Sequence, residues 1–154
     1  MNVENIIREY ITKTIHMSLG TSRDNKPWVC EVHFAYDDNL NLYFRSTTDR
    51  RHCQEIAANP NVAGNIVRQH GEGEIPHGIY FEGQANLIDD ESKYQEMFEY
   101  FKKCQNSDER IIEQAKTADG PKFYKITVEN WHCFGKFDGD KVQKSSLVWN
   151  GGLK

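Results

Sequence analysis

Leu42-Tyr43-Phe44-Arg45-Ser46-Thr47-Thr48-Asp49-Arg50-Arg51-His52 is the stretch on which the fold turns. Leu40, Leu42 and Phe44 recur at every second position, the period of a strand with one apolar face. Thr47, Thr48 and Asp49 then offer good helix N-caps. The helix is expected to run to about residue 58, where Asn59-Pro60 stops it. Arg50 and Arg51 fall in its first turn, at the positive end of the macrodipole, an unfavourable place for a cation unless something negative is bound there. A phosphate would resolve the conflict, because a helix start offers unpaired N–H groups and arginine adds forked, charge-assisted bonds. The plainer alternative is that both arginines are solvated or paired with Asp49 and Glu55.

Working outward, Trp28, Cys30, Val32, Phe34 and Tyr36 alternate with Val29, Glu31, His33 and Ala35, the clearest strand in the chain. Asp37-Asp38-Asn39 turns it back into the strand at 40–46 as a hairpin. A strand at 16–21 and a turn at 23–27 precede it. Val3, Ile6, Ile7, Tyr10 and Ile11 have helical spacing, so the chain opens with an amphipathic helix. Downstream, strands are expected at 62–67, 78–88, 123–134 and 144–149, with a polar loop at 69–76. Asp89-Asp90 caps a helix whose stripe is Tyr94, Met97, Phe98 and Phe101, and a short helix follows at 107–116. Nothing in Asn150-Gly151-Gly152 calls for regular structure. Hairpins interrupted by isolated helices indicate the α+β class, and at least six strands indicate a barrel, since closure removes exposed edges. No repeat or linker divides the 154 residues, so a single domain over 1–154 is expected.

The chain has 19 Lys and Arg against 23 Asp and Glu, a net charge of −4, which argues against a sequence-independent nucleic-acid binder. No apolar run reaches the roughly 18 residues of a membrane span. The first apolar segment carries Arg8 and Glu9, unlike a signal peptide. A cytoplasmic location is therefore expected, with Cys30, Cys53, Cys104 and Cys133 as free thiols. The mean hydropathy of −0.76 is low for a self-contained globule. Together with Tyr43 and Tyr80, read as aromatics on an exposed face, it points to a homodimer.

A strand, a hydroxyl-rich turn and two basic residues opening a helix resemble the FMN-phosphate segment of the pyridoxamine 5'-phosphate oxidase-like split-barrel superfamily. The surrounding order is also similar: His16-Met17-Ser18-Leu19-Gly20-Thr21, then 28–36, then 42–46, then Asn59-Pro60 and Val62-Ala63-Gly64. The likeness covers residues 5 to about 135 and lies in the ordered set of segments. It implies a six-stranded antiparallel split β-barrel with flanking helices, a homodimer, and one FMN per subunit. Carried onto this chain, Arg50 and Arg51 meet the phosphate, and Arg45, Ser46 and Thr47 lie near the phosphate and ribityl chain. Cys30, Glu31, Val32 and His33 meet the polar edge of the ring, largely through backbone. Asn65 approaches the ring from the partner subunit, and Trp149 covers the isoalloxazine. The implied activity is an oxidoreductase moving electrons or hydride between a reduced donor and a small-molecule substrate. The alternatives are a flavin-binding or ligand-sensing protein without catalysis, or a relative holding heme or a deazaflavin. One departure matters. The enzyme proper holds a second phosphate with arginines near its C-terminus, whereas the last arginine here is Arg110. Lysine binds phosphate only as a point charge, so oxidation of vitamin B6 is not expected.

Other constellations carry less. The pairs Cys30/His33, His52/Cys53 and His132/Cys133 lack zinc-site spacing, so no metal is expected. Adjacent strand residues face opposite ways, so His132 and Cys133 cannot chelate together. Cys30 with His33 lacks an oriented third group for nucleophilic catalysis, and no catalytic residue is assigned. Gly71-Glu72-Gly73-Glu74 lacks the Lys-Ser/Thr of a P-loop. The 69–77 loop, with His70 and His77, is a solvated connection or a lid.

Overall fold

The computed structural model describes residues 2–137, 139 and 141–150. Gly151 and Gly152 of the tail lie outside them. Four helices, α1 (Val3–Tyr10), α2 (Arg51–Ala58), α3 (Tyr94–Gln105) and α4 (Arg110–Lys116), accompany eight strands. These are β1 (His16–Arg23), β2 (Lys26–His33), β3 (Ala35–Tyr36), β4 (Leu42–Ser46), β5 (Asn61–Ile66), β6 (Gly78–Ile88), β7 (Lys122–Gly135) and β8 (Gln143–Val148). All pairings are antiparallel, in the order β2-β1-β5-β6-β7-β4-β3, with β8 added to β7. The fold is the expected α+β split barrel, with eight strands in place of six.

One of the two extra strands is β8, added outside the main path on β7, and the other arises because the strand expected at 28–36 breaks at Phe34. Its first part pairs with β1 as far as His33↔His16, and its second pairs with β4 through Ala35↔Tyr43. Phe34 makes the crossing, with its side chain 1 % exposed and its N–H donated to the Ile15 carbonyl at 2.9 Å. The sheet path thus begins and ends on one continuous piece of chain, which is how the sheet curls and its edges meet. Beyond Phe34 the two edges part. β2 pairs only with β1, and Phe44, Arg45 and Ser46 of β4 pair only with β7 among the described residues. That gap is the split in the barrel.

Two cores form on opposite faces of the sheet. The barrel interior holds Met17, Leu19, Leu42, Phe44, Ile79, Phe81, Ile126 and Trp131, plugged by Ile6, Ile7 and Tyr10 of α1. On the other side, Tyr94, Met97, Phe98 and Phe101 of α3 and Ile111 of α4 pack on Ala35, Tyr43 and Phe123. Tyr43 is therefore only 2 % exposed, and the reading of it as an exposed aromatic is corrected. It stacks on Tyr100 at 4.8 Å and donates its hydroxyl to Asp37. Gly64 lets β1 and β6 close together, since a Cβ there would lie 2.3 Å from the Ser18 carbonyl oxygen and 2.5 Å from the Phe81 ring.

Candidate functional site

A cavity of about 640 Å³ opens across the split. One wall is β2, contributing Trp28, Cys30, Glu31, Val32 and His33; opposite are Arg45 and Ser46 at the end of β4. The start of α2 adds Arg50, Arg51 and His52, and the end of α3 adds Phe101 and Gln105. Eight of the residues singled out from the sequence thus meet at one place although they come from three separate elements. Among the described residues, neither strand edge that borders it has a strand partner on that side, so backbone N–H and C=O groups are available to a ligand there.

The helix start differs from expectation in one respect. Arg50 itself is the N-cap of α2, with extended backbone and no side-chain cap bond. Thr47, Thr48 and Asp49 instead form the turn before it, where Arg50 N–H donates to the Thr47 carbonyl at 3.2 Å and the Thr47 hydroxyl bonds the Asp49 carboxyl, holding its pKa down. The first turn itself has no acidic residue, so an anion at its N–H groups meets a favourable dipole. Arg51 is held on two sides: its Nε donates to Glu55 Oε2 at 2.9 Å, and its guanidinium carbon lies 4.1 Å from the Trp28 ring centroid. Glu55 also accepts from the buried Thr21 hydroxyl at 2.9 Å. The pairing of Arg51 with Glu55 therefore exists, but it uses only one edge of the fork.

Three buried polar atoms on the cavity residues have no hydrogen-bond partner among the described residues: Arg45 Nε, His52 Nε2 and Gln105 Nε2. Such groups are uncommon in native proteins and call for an explanation. Burial lowers the pKa of Arg45, whose remaining contacts are Gln114 through Nη2 at 2.6 Å and the Phe123 ring. The pKa of His52 is also lowered, first by burial and then by the positive charge of Arg50, which favours the neutral ring. The Cys30 thiol is pushed up to about 11 by burial, with Cys53 and Glu31 adding to it, so it is a thiol rather than a nucleophilic thiolate.

The other expected residues lie elsewhere in this chain. Thr47 sits beside the cavity without lining it. Asn65 is on β5, paired with Ser18 and Tyr80. Trp149 is 6 % exposed and packs by α1, its indole N–H donating to the Asn39 carbonyl at 2.7 Å and Arg8 over its ring. It does not cover the cavity of its own chain. Sequence reasoning missed Trp28, His52, Phe101 and Gln105 as site residues; the strand shared by Trp28 with Cys30 and Val32 and the helix-start position of His52 could have signalled those two. As expected from strand alternation, His132 and Cys133 face opposite ways: Cys133 is buried, and His132 bonds Ser146 and Glu82. Among the described residues no three His, Cys, Asp or Glu side chains gather as a metal site needs, and no helix is long and apolar enough to cross a membrane.

Residues 4–134 match the family model described as pyridoxamine 5'-phosphate oxidase. The chain belongs to the pyridoxamine 5'-phosphate oxidase family. The matched span contains every residue that lines the cavity. No curated protein matches the chain. Among solved structures, this family member is similar to General Stress Protein 26 from Bacillus anthracis, at 20% identity and a TM-score of 0.66, covering 96% of this chain and 99% of that one. It is similar to a FAD-binding protein from Mesorhizobium loti, at 17% identity and a TM-score of 0.65, covering 85% and 92%. It is also similar to a heme-binding protein from Mycobacterium smegmatis, at 14% identity and a TM-score of 0.70, covering 92% of this chain and 55% of that one. At these identities the likeness is one of fold.

Proposed function

We propose that the cavity across the split binds FMN and that the protein is a homodimeric flavin-dependent oxidoreductase. The observation that carries this reading is the convergence of buried Arg45 Nε and His52 Nε2, which have no partner among the described residues, on the same cavity as the acid-free, arginine-bearing start of α2. A volume of about 640 Å³ lies within the range of cofactor sites. The residues present suit the group. Arg50 and Arg51 hold the phosphate with the first N–H groups of α2, and Arg45 with Ser46 and Thr47 lies toward the ribityl chain. The free edge of β2, from Cys30 to His33, offers backbone bonds to the polar edge of the ring. When bound, FMN supplies the two-electron redox chemistry; the side chains orient it and limit its access to water.

β2 leaves an apolar side chain exposed on each of its faces, Trp28 at 40% on the cavity side and Val29 at 63% on the other, which supports a second copy packing nearby. In that dimer, Asn65 of each protomer approaches the other's flavin. The test is titration of the apoprotein with FMN, followed by quenching of flavin fluorescence, beside an absorbance spectrum of the protein as purified. Saturable one-to-one uptake supports the reading. A Soret band with no flavin uptake overturns it in favour of heme.

A further inference from the structure

The cavity wall made by α3 is not needed to hold a phosphate, yet it carries a group built to meet a ligand. Phe101 and Gln105 are one helical turn apart and so share a face. Phe101 is 2 % exposed and packs on Phe123, with ring centroids 5.8 Å apart, which fixes the end of α3 against the sheet. Gln105, the last residue of α3, then projects a buried Nε2 that no group among the described residues accepts from. The helix ends there because Asn106 takes a left-handed conformation, with φ of 53°. The amide is thus held in place by the aromatic contact beneath it and by the helix stop behind it.

We propose that Phe101 and Gln105 form the substrate-recognition wall of the flavin site, and that the substrate is an uncharged planar compound presenting a carbonyl oxygen to Gln105. This rests on the FMN reading given above. With the ring's polar edge on β2 and its phosphate on α2, the wall left for a second molecule is α3. A primary amide donates to an acceptor oxygen but brings no charge to balance an anion. With Arg50 and Arg51 engaged by the cofactor phosphate, Glu31, whose carboxylate accepts from the Ser18 hydroxyl at 2.9 Å, offsets Arg45 on the same cavity, so no net positive charge is left for an anionic substrate. Aromatic Phe101 favours a flat, apolar body.

The test uses the FMN-loaded protein and three probes: benzamide, benzoate and phenyl phosphate. Each is titrated while the flavin absorbance is followed. Benzamide is expected to perturb the spectrum saturably, and both anions to bind about ten-fold more weakly or not at all. Gln105→Leu is expected to weaken benzamide about five- to ten-fold while leaving FMN affinity unchanged. Phe101→Leu is expected to weaken benzamide also. Equal binding of phenyl phosphate and benzamide overturns the substrate class. A loss of FMN affinity in Gln105→Leu shows instead that Gln105 serves the cofactor, and overturns the inference alone. Failure of the wild type to take up FMN overturns the flavin reading and this inference together.

Discussion

The guanidinium of Arg51 lies over the indole of Trp28, its carbon 4.1 Å from the ring centroid, so the start of α2 is tied directly to β2 across the split. Cation–π contacts of this partly exposed kind contribute about 0.5–1 kcal/mol. The contact matters for orientation, because with Nε on Glu55 it aims the rest of the fork. Trp28→Ala is expected to weaken FMN about two- to five-fold, with Trp28→Phe intermediate and little change in the melting temperature. FMN titration with parallel thermal melts checks this, and an unchanged affinity would detach Trp28 from the site.

Arg50→Ala and Arg51→Ala should each weaken FMN about ten-fold or more, since a charged hydrogen bond contributes roughly 1.5–3 kcal/mol. Riboflavin, which has the ring without the phosphate, should bind the wild type more weakly and be indifferent to Arg50→Ala. Titrating both flavins against both variants separates a phosphate clamp from general damage. Equal affinities for the two flavins in the wild type would refute the phosphate site.

Glu55 gives a pH dependence with a definite sign. Its pKa is lowered by the bond from Arg51, then by that from Thr21, against an opposing contribution from burial. A carboxylate with a depressed folded pKa contributes stability above its unfolded value of about 4.3, and that contribution is lost as pH falls through the folded value. Glu55→Gln should therefore melt lower than the wild type at pH 7, and the gap should narrow as pH drops below about 4. Melting curves from pH 7 to pH 3 decide it; a gap constant across that range would show that Glu55 acts by packing alone.

Turnover of pyridoxamine 5'-phosphate by the FMN-loaded protein is expected to fall well below the about 1 s⁻¹ typical of a working enzyme. The reason is the absence of any arginine after Arg110. A steady-state assay measures it. Ordinary turnover would show that the C-terminal lysines suffice.

The dimer should be stable at micromolar concentration and bury more than about 1,200 Å², the lower end of specific interfaces. Sedimentation of the FMN-bound protein as a monomer would remove the partner's Asn65 from the site.

Much of this architecture was legible because it rests on local rules. The Asn59-Pro60 breaker ends α2 at Ala58, and the strand expected at 78–88 has the same bounds as β6. The phosphate reading also came from a local contradiction, two arginines where a helix start repels them. The misplaced details share one cause. Thr47, Thr48 and Asp49 cap well in isolation, but the chain turns at Thr47 and leaves Arg50 as the cap. Tyr43 alternates as an outward residue, and so it is, but α3 lies over that face.

The sequence by itself determined the elements, the apolar faces and the run of basic and hydroxyl residues from 45 to 51, because periodicity, breakers and helix-end charge act over a few residues. Only the tertiary structure decided that the strand through Phe34 changes neighbours, which opens the split and brings residues 28–33 opposite Arg45. It alone brought Phe101 and Gln105 to that opening, and it alone put Trp149 against α1. Those outcomes depend on which faces pack together over separations of tens of residues, and no local pattern in the chain encodes them.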